Sequence, residues 1–226
     1  MTLIIGHRGA SAAFQGNTIE AFIGAAQAGA DWVELDIRRA ADGEIVVHHD
    51  PVTSEGHRIS ETASDKLPKY VPTLAQALEA CEGMGVNIEI KNEIAEDDFD
   101  PDHLMVPRTI EVARAHLTRD RTLISSFDMS ALNAVHDLDP NMPTGFLTAE
   151  DLGAEVAVGR AAAHAHVAIN PADEIVTERW VAHAAAAGLT VNVWTVDDPK
   201  RMQELASFGV DGIITNVPDV AVKALR

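Results

Sequence analysis

The chain has 226 residues, of which 46% are hydrophobic and 23% charged, an ordinary balance for a protein able to bury a large apolar core. Its 35 acidic residues outweigh 17 basic ones, for a formal net charge of -18, and a surface of that sign repels nucleic-acid backbones and anionic lipid headgroups. A single cysteine, Cys81, excludes an intrachain disulfide and a cysteine-rich metal knuckle.

From the N-terminus, Met1-Thr2-Leu3-Ile4-Ile5-Gly6-His7 runs straight into an apolar strand over residues 2–6, without the basic region and cleavage site of a secretory signal. No apolar run approaches the roughly 20 residues that span a bilayer. The expectation is a soluble, cytoplasmic protein with no stable membrane association.

In residues 31–37, Val33, Leu35 and Ile37 alternate with Glu34 and Asp36. That is a strand with one apolar face and one carrying two carboxylates. Asp42-Gly43 reads as the turn of a hairpin to a short strand at 44–48. The Ser-, Glu-, Lys- and His-rich stretch 51–72 reads as a polar excursion. Thr73 and Gln76 form a capping box, opening a helix with Leu74, Ala77, Leu78 and Cys81 on one face. Residues 86–91 repeat the earlier strand pattern, with Ile88 and Ile90 on one face and Asn87, Glu89 and Lys91 on the other. The acidic run Glu96–Asp102 lacks the central Gly and terminal Glu of a calcium loop, and reads as a solvated loop or helix start.

Further strands are expected at 122–126, 143–147, 165–169, 189–194 and 210–214. Asp198-Pro199 starts a late helix whose inner stripe is Met202, Leu205 and Phe208. Gly29, Gly188 and Gly209 fall just past helical segments, where a left-handed residue is wanted. Strand and helix alternate throughout, which implies parallel strands with crossover helices. About eight such units predict one domain over 1–226, a (β/α)8 TIM barrel with a short polar excursion after the second strand.

In such barrels the C-terminal strand ends carry the active site, and polar residues collect there. His7 and Arg8 end the first strand, Glu34 and Asp36 the second, Glu89 and Lys91 the third, and Trp194 the seventh; His49-Asp50 follows the hairpin strand. Two carboxylates about 6.5 Å apart along a strand repel by roughly 2.5 kcal/mol at an effective dielectric of about 20. Glu89 adds to this, and Arg8 and Lys91 do not balance three negative charges plus an anionic substrate. A divalent cation does, and all-oxygen ligation by Glu34, Asp36 and Glu89 favours Mg²⁺ or Ca²⁺ over Zn²⁺. Histidines near such a site suit general acid–base work. His7 is one candidate. His48 and His49 point to opposite sides if their strand continues, and spacing leaves the choice between them open. His57, His103, His116, His136, His164, His166 and His183 read as surface or packing residues.

Together, His7-Arg8-Gly9-Ala10, Asn17–Phe22, Gly29–Asp36, Asp42–Asp50 and Glu89-Ile90-Lys91 resemble the glycerophosphodiester phosphodiesterases. Ser125-Ser126-Phe127, Val193–Val196 and Gly209–Asn216 are also similar to that family, so the resemblance runs over nearly the whole chain. It implies cleavage of a small glycerophosphodiester into sn-glycerol 3-phosphate and an alcohol. It also implies His7 and His49 as the acid–base pair, Arg8 and Lys91 on the phosphate, and Trp194 on the alcohol side. Glu34, Asp36 and Glu89 fall on the family's metal ligands, which usually hold Mg²⁺ or Ca²⁺. The chain departs from the family pattern twice. Gln15-Gly16 stands where Pro-Glu is usual before Asn-Thr, and the 51–72 excursion is shorter, without the usual Arg-Thr-Thr. Other readings of the same residues are a related barrel phospholipase that forms a cyclic phosphate, a non-catalytic phosphate-ligand-binding barrel, and a barrel isomerase.

Overall fold

The computed structural model describes residues 1–149 and 153–226. In chain order the described elements are β1 (Leu3–His7), α1 (Ile19–Ala28), β2 (Trp32–Arg39), β3 (Ile45–Val47), α2 (Leu74–Ala80), β4 (Gly85–Ile90), α3 (Val106–His116), β5 (Thr122–Ser126) and α4 (Met129–Leu138). There follow β6 (Thr144–Thr148), α5 (Ala154–Ala163), β7 (Ala168–Pro171), α6 (Glu178–Ala186), β8 (Thr190–Val193), α7 (Pro199–Phe208), β9 (Gly212–Thr215) and α8 (Pro218–Leu225). β1 pairs in parallel with both β2 and β9, so the parallel strands close on themselves. β3 pairs antiparallel with β2 alone and stays outside the ring. The result is the expected (β/α)8 barrel with its hairpin extension.

Local sequence explains the elements. Val33, Leu35 and Ile37 are fully buried in the apolar layer between barrel and helices, which leaves Glu34 and Asp36 on the inner face. Thr18 accepts a hydrogen bond from the Ala21 amide to start α1, and the Thr73–Gln76 capping box starts α2. Asp198 and Pro199 start α7, and Gly29 and Gly209 end α1 and α7 in the left-handed region, at φ 87° and 88°. At the N-terminal end of the barrel the Trp32 indole lies so close to Gly85 that a Cβ there would sit 2.1 Å from the ring. Only glycine permits that approach.

The structure differs from the sequence-based expectation at five places, one of them β9, expected at 210–214 and found at Gly212–Thr215. β2 runs two residues further, to Arg39, because its last residues pair with β3. β7 starts at Ala168 instead of 165; Ala165 takes a φ of 59°, which breaks the extended run. The 51–72 excursion is polar in composition, yet Ile59, Leu67 and Val71 pack with Ala40 and Val46 into a second small apolar cluster. The acidic run after β4 is a loop and not a helix start, but it is only partly solvated: Asp97 is exposed, while Glu96 and Asp98 close on Arg38, whose side chain is 2% exposed. Among the described residues no helix is long and apolar enough to cross a membrane.

His166, before β7, is buried between His136 and His164, and its Nδ1 lies 2.8 Å from the Thr144 hydroxyl. Burial, reinforced by the two neighbouring imidazoles, pulls its pKa from 6.5 down to about 4. Between those values the unfolded chain binds a proton that the native state refuses, so stability falls as pH drops through that window. Urea unfolding from pH 7 down to pH ~4.5 is expected to show this loss. His166→Asn should lose less over the same range, and an equal loss would place the acid sensitivity elsewhere.

Candidate active site

Strand register assembles the site. His7 on β1 sits beside Glu34 on β2, and Asp36 sits beside Glu89 on β4. Neighbouring strands are about 4.8 Å apart, so these side chains enter one space at the C-terminal mouth of the barrel. Glu34, Asp36 and Glu89 each offer a carboxylate oxygen within 4.8 Å of the other two. Asp36 lies deepest, 1% exposed, held by the Asn17 amide, which donates to Oδ2 at 2.7 Å, and by its own N–H donating to Asn17 Oδ1.

The positive groups arrive from two sides. Arg8 Nε lies 3.1 Å from Asp36 Oδ2, and the Arg8 amide donates to Glu34 Oε2 at 3.0 Å. Lys91 Nζ contacts Glu89 at 3.0 Å and Glu93 at 3.1 Å. Arg8 takes a left-handed φ of 56°, and the following Gly9 one of 85°. A Cβ on Gly9 would meet the Ala21 carbonyl group at 2.5 Å, so this glycine is what lets the His7–Arg8 turn rest on α1.

These charges do not cancel. Burial, then Asp36 and Glu89, push the Glu34 carboxyl well above its ordinary value. Burial and Asp36 likewise raise Glu89 to about 7, against the opposing pull of Lys91. For Lys91 burial acts downward, but Glu89 and Asp36 outweigh it and leave the ammonium above its usual value. Glu34 Oε1 is buried with no hydrogen-bond partner among the described residues. An orphaned acceptor in a cluster of three like charges fits a hard divalent cation, which takes carboxylate oxygens and relieves the repulsion.

His7 and His49 flank the cluster. Asn216 donates its amide N–H to Asp197 Oδ2 at 2.7 Å, which turns Asn216 Oδ1 toward His7 Nδ1, also at 2.7 Å. A carboxylate only accepts, so the amide orientation is fixed, Nδ1 carries the hydrogen, and Nε2 is left open toward Glu34, 3.9 Å away. Burial and Arg8 lower the His7 pKa. His49 is half-buried, with Nδ1 2.7 Å from Asp50 Oδ1. His48 turns away and bonds the Asp50 carbonyl at 2.8 Å. One cavity is lined by His7, Arg8, Glu34, His49, Glu89, Lys91 and Trp194, with Asn87, Phe127, Leu147 and Ile214. All the site residues expected from sequence therefore meet here, with Asp36 just beneath the lining.

The model of the glycerophosphoryl diester phosphodiesterase family matches residues 7–220. The chain belongs to this family. A glycerophosphodiester phosphodiesterase from Caldanaerobacter subterraneus is 29% identical over 249 residues, covering 100% of this chain and 98% of the relative. A probable glycerophosphodiester phosphodiesterase 2 from Mycobacterium tuberculosis is 31% identical over 229 residues, covering 90% and 83%. Among solved structures, an Oleispira antarctica phosphodiesterase in complex with the product sn-glycerol-3-phosphate superposes with a TM-score of 0.89 at 25% identity, covering 100% of this chain and 97% of that one.

Within this glycerophosphodiester phosphodiesterase family member, sequence reading missed Asn17, Asp50, Asp197 and Asn216 as partners of site residues. Asn17 and Asn216 stood inside the quoted motifs; their roles depend on contacts 19 and 209 residues away. Phe127 was quoted without a role, and it packs edge-on against Trp194 with ring centres 5.7 Å apart. Trp194 is fixed by its indole N–H, which donates to the Asn170 carbonyl at 2.8 Å. Gly9→Ala should cost about 2–4 kcal/mol in urea unfolding, through positive φ and the clash with Ala21. Full stability in that variant would show that the turn can move off α1.

Proposed function

We propose that the protein hydrolyses glycerophosphodiesters to sn-glycerol 3-phosphate and an alcohol, with a divalent cation and a pair of histidines. The observation that carries the reading is the meeting, in one barrel mouth, of three carboxylates, two cationic side chains and two differently tied imidazoles. Family membership and the product-bound Oleispira structure support the substrate class. Glu34, Asp36 and Glu89 would hold Mg²⁺ or Ca²⁺, which when bound would supply positive charge next to a phosphoryl oxygen.

Arg8 and Lys91 bind the other non-bridging phosphoryl oxygen and hold the phosphorus in line for attack, the positioning and charge stabilisation on which phosphoryl transfer mainly depends. His7 Nε2 accepts a proton from the attacking water as the water oxygen bonds to phosphorus. His49, with Nδ1 tied to Asp50, delivers a proton from Nε2 to the oxygen of the departing alcohol as its bond to phosphorus breaks. Trp194 and Phe127 form the wall against which that alcohol rests.

Chelation should abolish glycerol 3-phosphate release from a glycerophosphodiester, and Mg²⁺ or Ca²⁺ should restore it. Calorimetric titration should show weakened cation binding in Asp36→Asn; unchanged binding would remove Asp36 from the ligand set. Lys91→Met should raise KM and lower kcat by roughly 10-fold or more, the scale for loss of a charged contact to a developing charge. Unaltered kinetics in that variant would take Lys91 off the phosphate.

A further inference from the structure

Arg38 lies two residues beyond Asp36 on β2 and has the most deeply buried cationic side chain near the site, at 2% exposure against 5% for Lys91 and 30% for Arg8. Its Nε donates to the His49 carbonyl at 2.7 Å. Its two terminal nitrogens grip Glu96 in a parallel pair of bonds, both 2.9 Å, and Nη1 also reaches Asp98 at 3.0 Å. Planar two-point pairing of guanidinium with carboxylate fixes direction as well as distance.

The position of His49 makes that bond consequential. The strand ladder ends just before it: β3 stops at Val47, and the His48 amide makes a last bond to the Asp36 carbonyl at 3.0 Å. His49 then stands on a loop, its side chain 36% exposed, and among the described residues its ring is tied only to the exposed Asp50 next to it. Arg38 ties the backbone of His49 itself to the barrel, and the Glu96–Asp98 segment aims the guanidinium.

We propose that Arg38 is a positioning residue for His49, clamped by Glu96 and Asp98 so that the imidazole meets the oxygen of the leaving alcohol. The inference rests on the reading of His49 as proton donor. Desolvation of the guanidinium serves this purpose: a buried fork with each of its three nitrogens bonded has one low-energy orientation, whereas a solvated one samples many. Displacement of a catalytic group by about 1 Å can cost on the order of 10²-fold in rate.

The test compares two glycerol 3-phosphate diesters, one with choline and one with p-nitrophenol as leaving group, since nitrophenolate departs without a proton. His49→Ala should lose about 10²-fold or more in kcat on the choline ester and little on the nitrophenyl ester. Arg38→Met should show the same selectivity, with a loss of roughly 10–100-fold on the choline ester, under about 3-fold on the nitrophenyl ester, and KM changed little. Arg38→Lys should fall between. If His49→Ala is selective and Arg38→Met loses equally on both esters, Arg38 is structural and the proposal fails. If His49→Ala is itself unselective, the donor reading falls first and the proposal with it. Should Arg38→Met not fold, the Glu96→Gln/Asp98→Asn double variant keeps the arginine and loosens the clamp. A severalfold loss confined to the choline ester supports the proposal, and an even loss overturns it.

Discussion

Mutual repulsion among three carboxylates inside a closed ring of strands governs the architecture around the site. Closure leaves Glu34, Asp36 and Glu89 no route apart, because each is fixed by strand register with its neighbour. The fold answers with contacts that fix or partly neutralise the acids: Arg8 and Asn17 on Asp36, the Arg8 amide on Glu34, Lys91 on Glu89. Raised pKa values at Glu34 and Glu89 show that the answer is incomplete. Such residual strain is a mark of a site shaped for a ligand rather than for stability alone.

The barrel and most of this site were legible in sequence because they follow period-2 alternation. Val33, Leu35 and Ile37 mark the buried face of β2, and the acids between them had to face inward. The same alternation carried two residues further would have put Arg38 beside Glu34 and Asp36. Paired arginines read as surface, and the pairing of β2 with β3 that prolongs the strand is a tertiary fact. The acidic run was half legible for the matching reason: its composition says solvent, which holds for Asp97 and Asp102, while Arg38 and Arg39, distant in sequence, draw Glu96, Asp98 and Asp100 inward. Ile59, Leu67 and Val71 follow neither helical nor strand spacing, so their small cluster had no periodic signature.

The two imidazoles show how like side chains acquire unlike chemistry. His7 is enclosed and held by a neutral amide, itself braced by Asp197. His49 sits on a loop and leans on a carboxylate. Nothing within His-Arg-Gly encodes the restraint on His7, whereas His-His-Asp carries the partner of His49 within itself. The difference comes from Asn216, at the far end of the chain, and from the adjacent Asp50.

The brace on His7 has a further effect. With Nδ1 engaged by Asn216, the ring has one working edge, and it cannot pass a proton through itself to the solvent behind. Whatever Nε2 picks up has to go back out by the same side. In the proposed reaction, resetting this imidazole and clearing the chamber in front of it would thus be tied together.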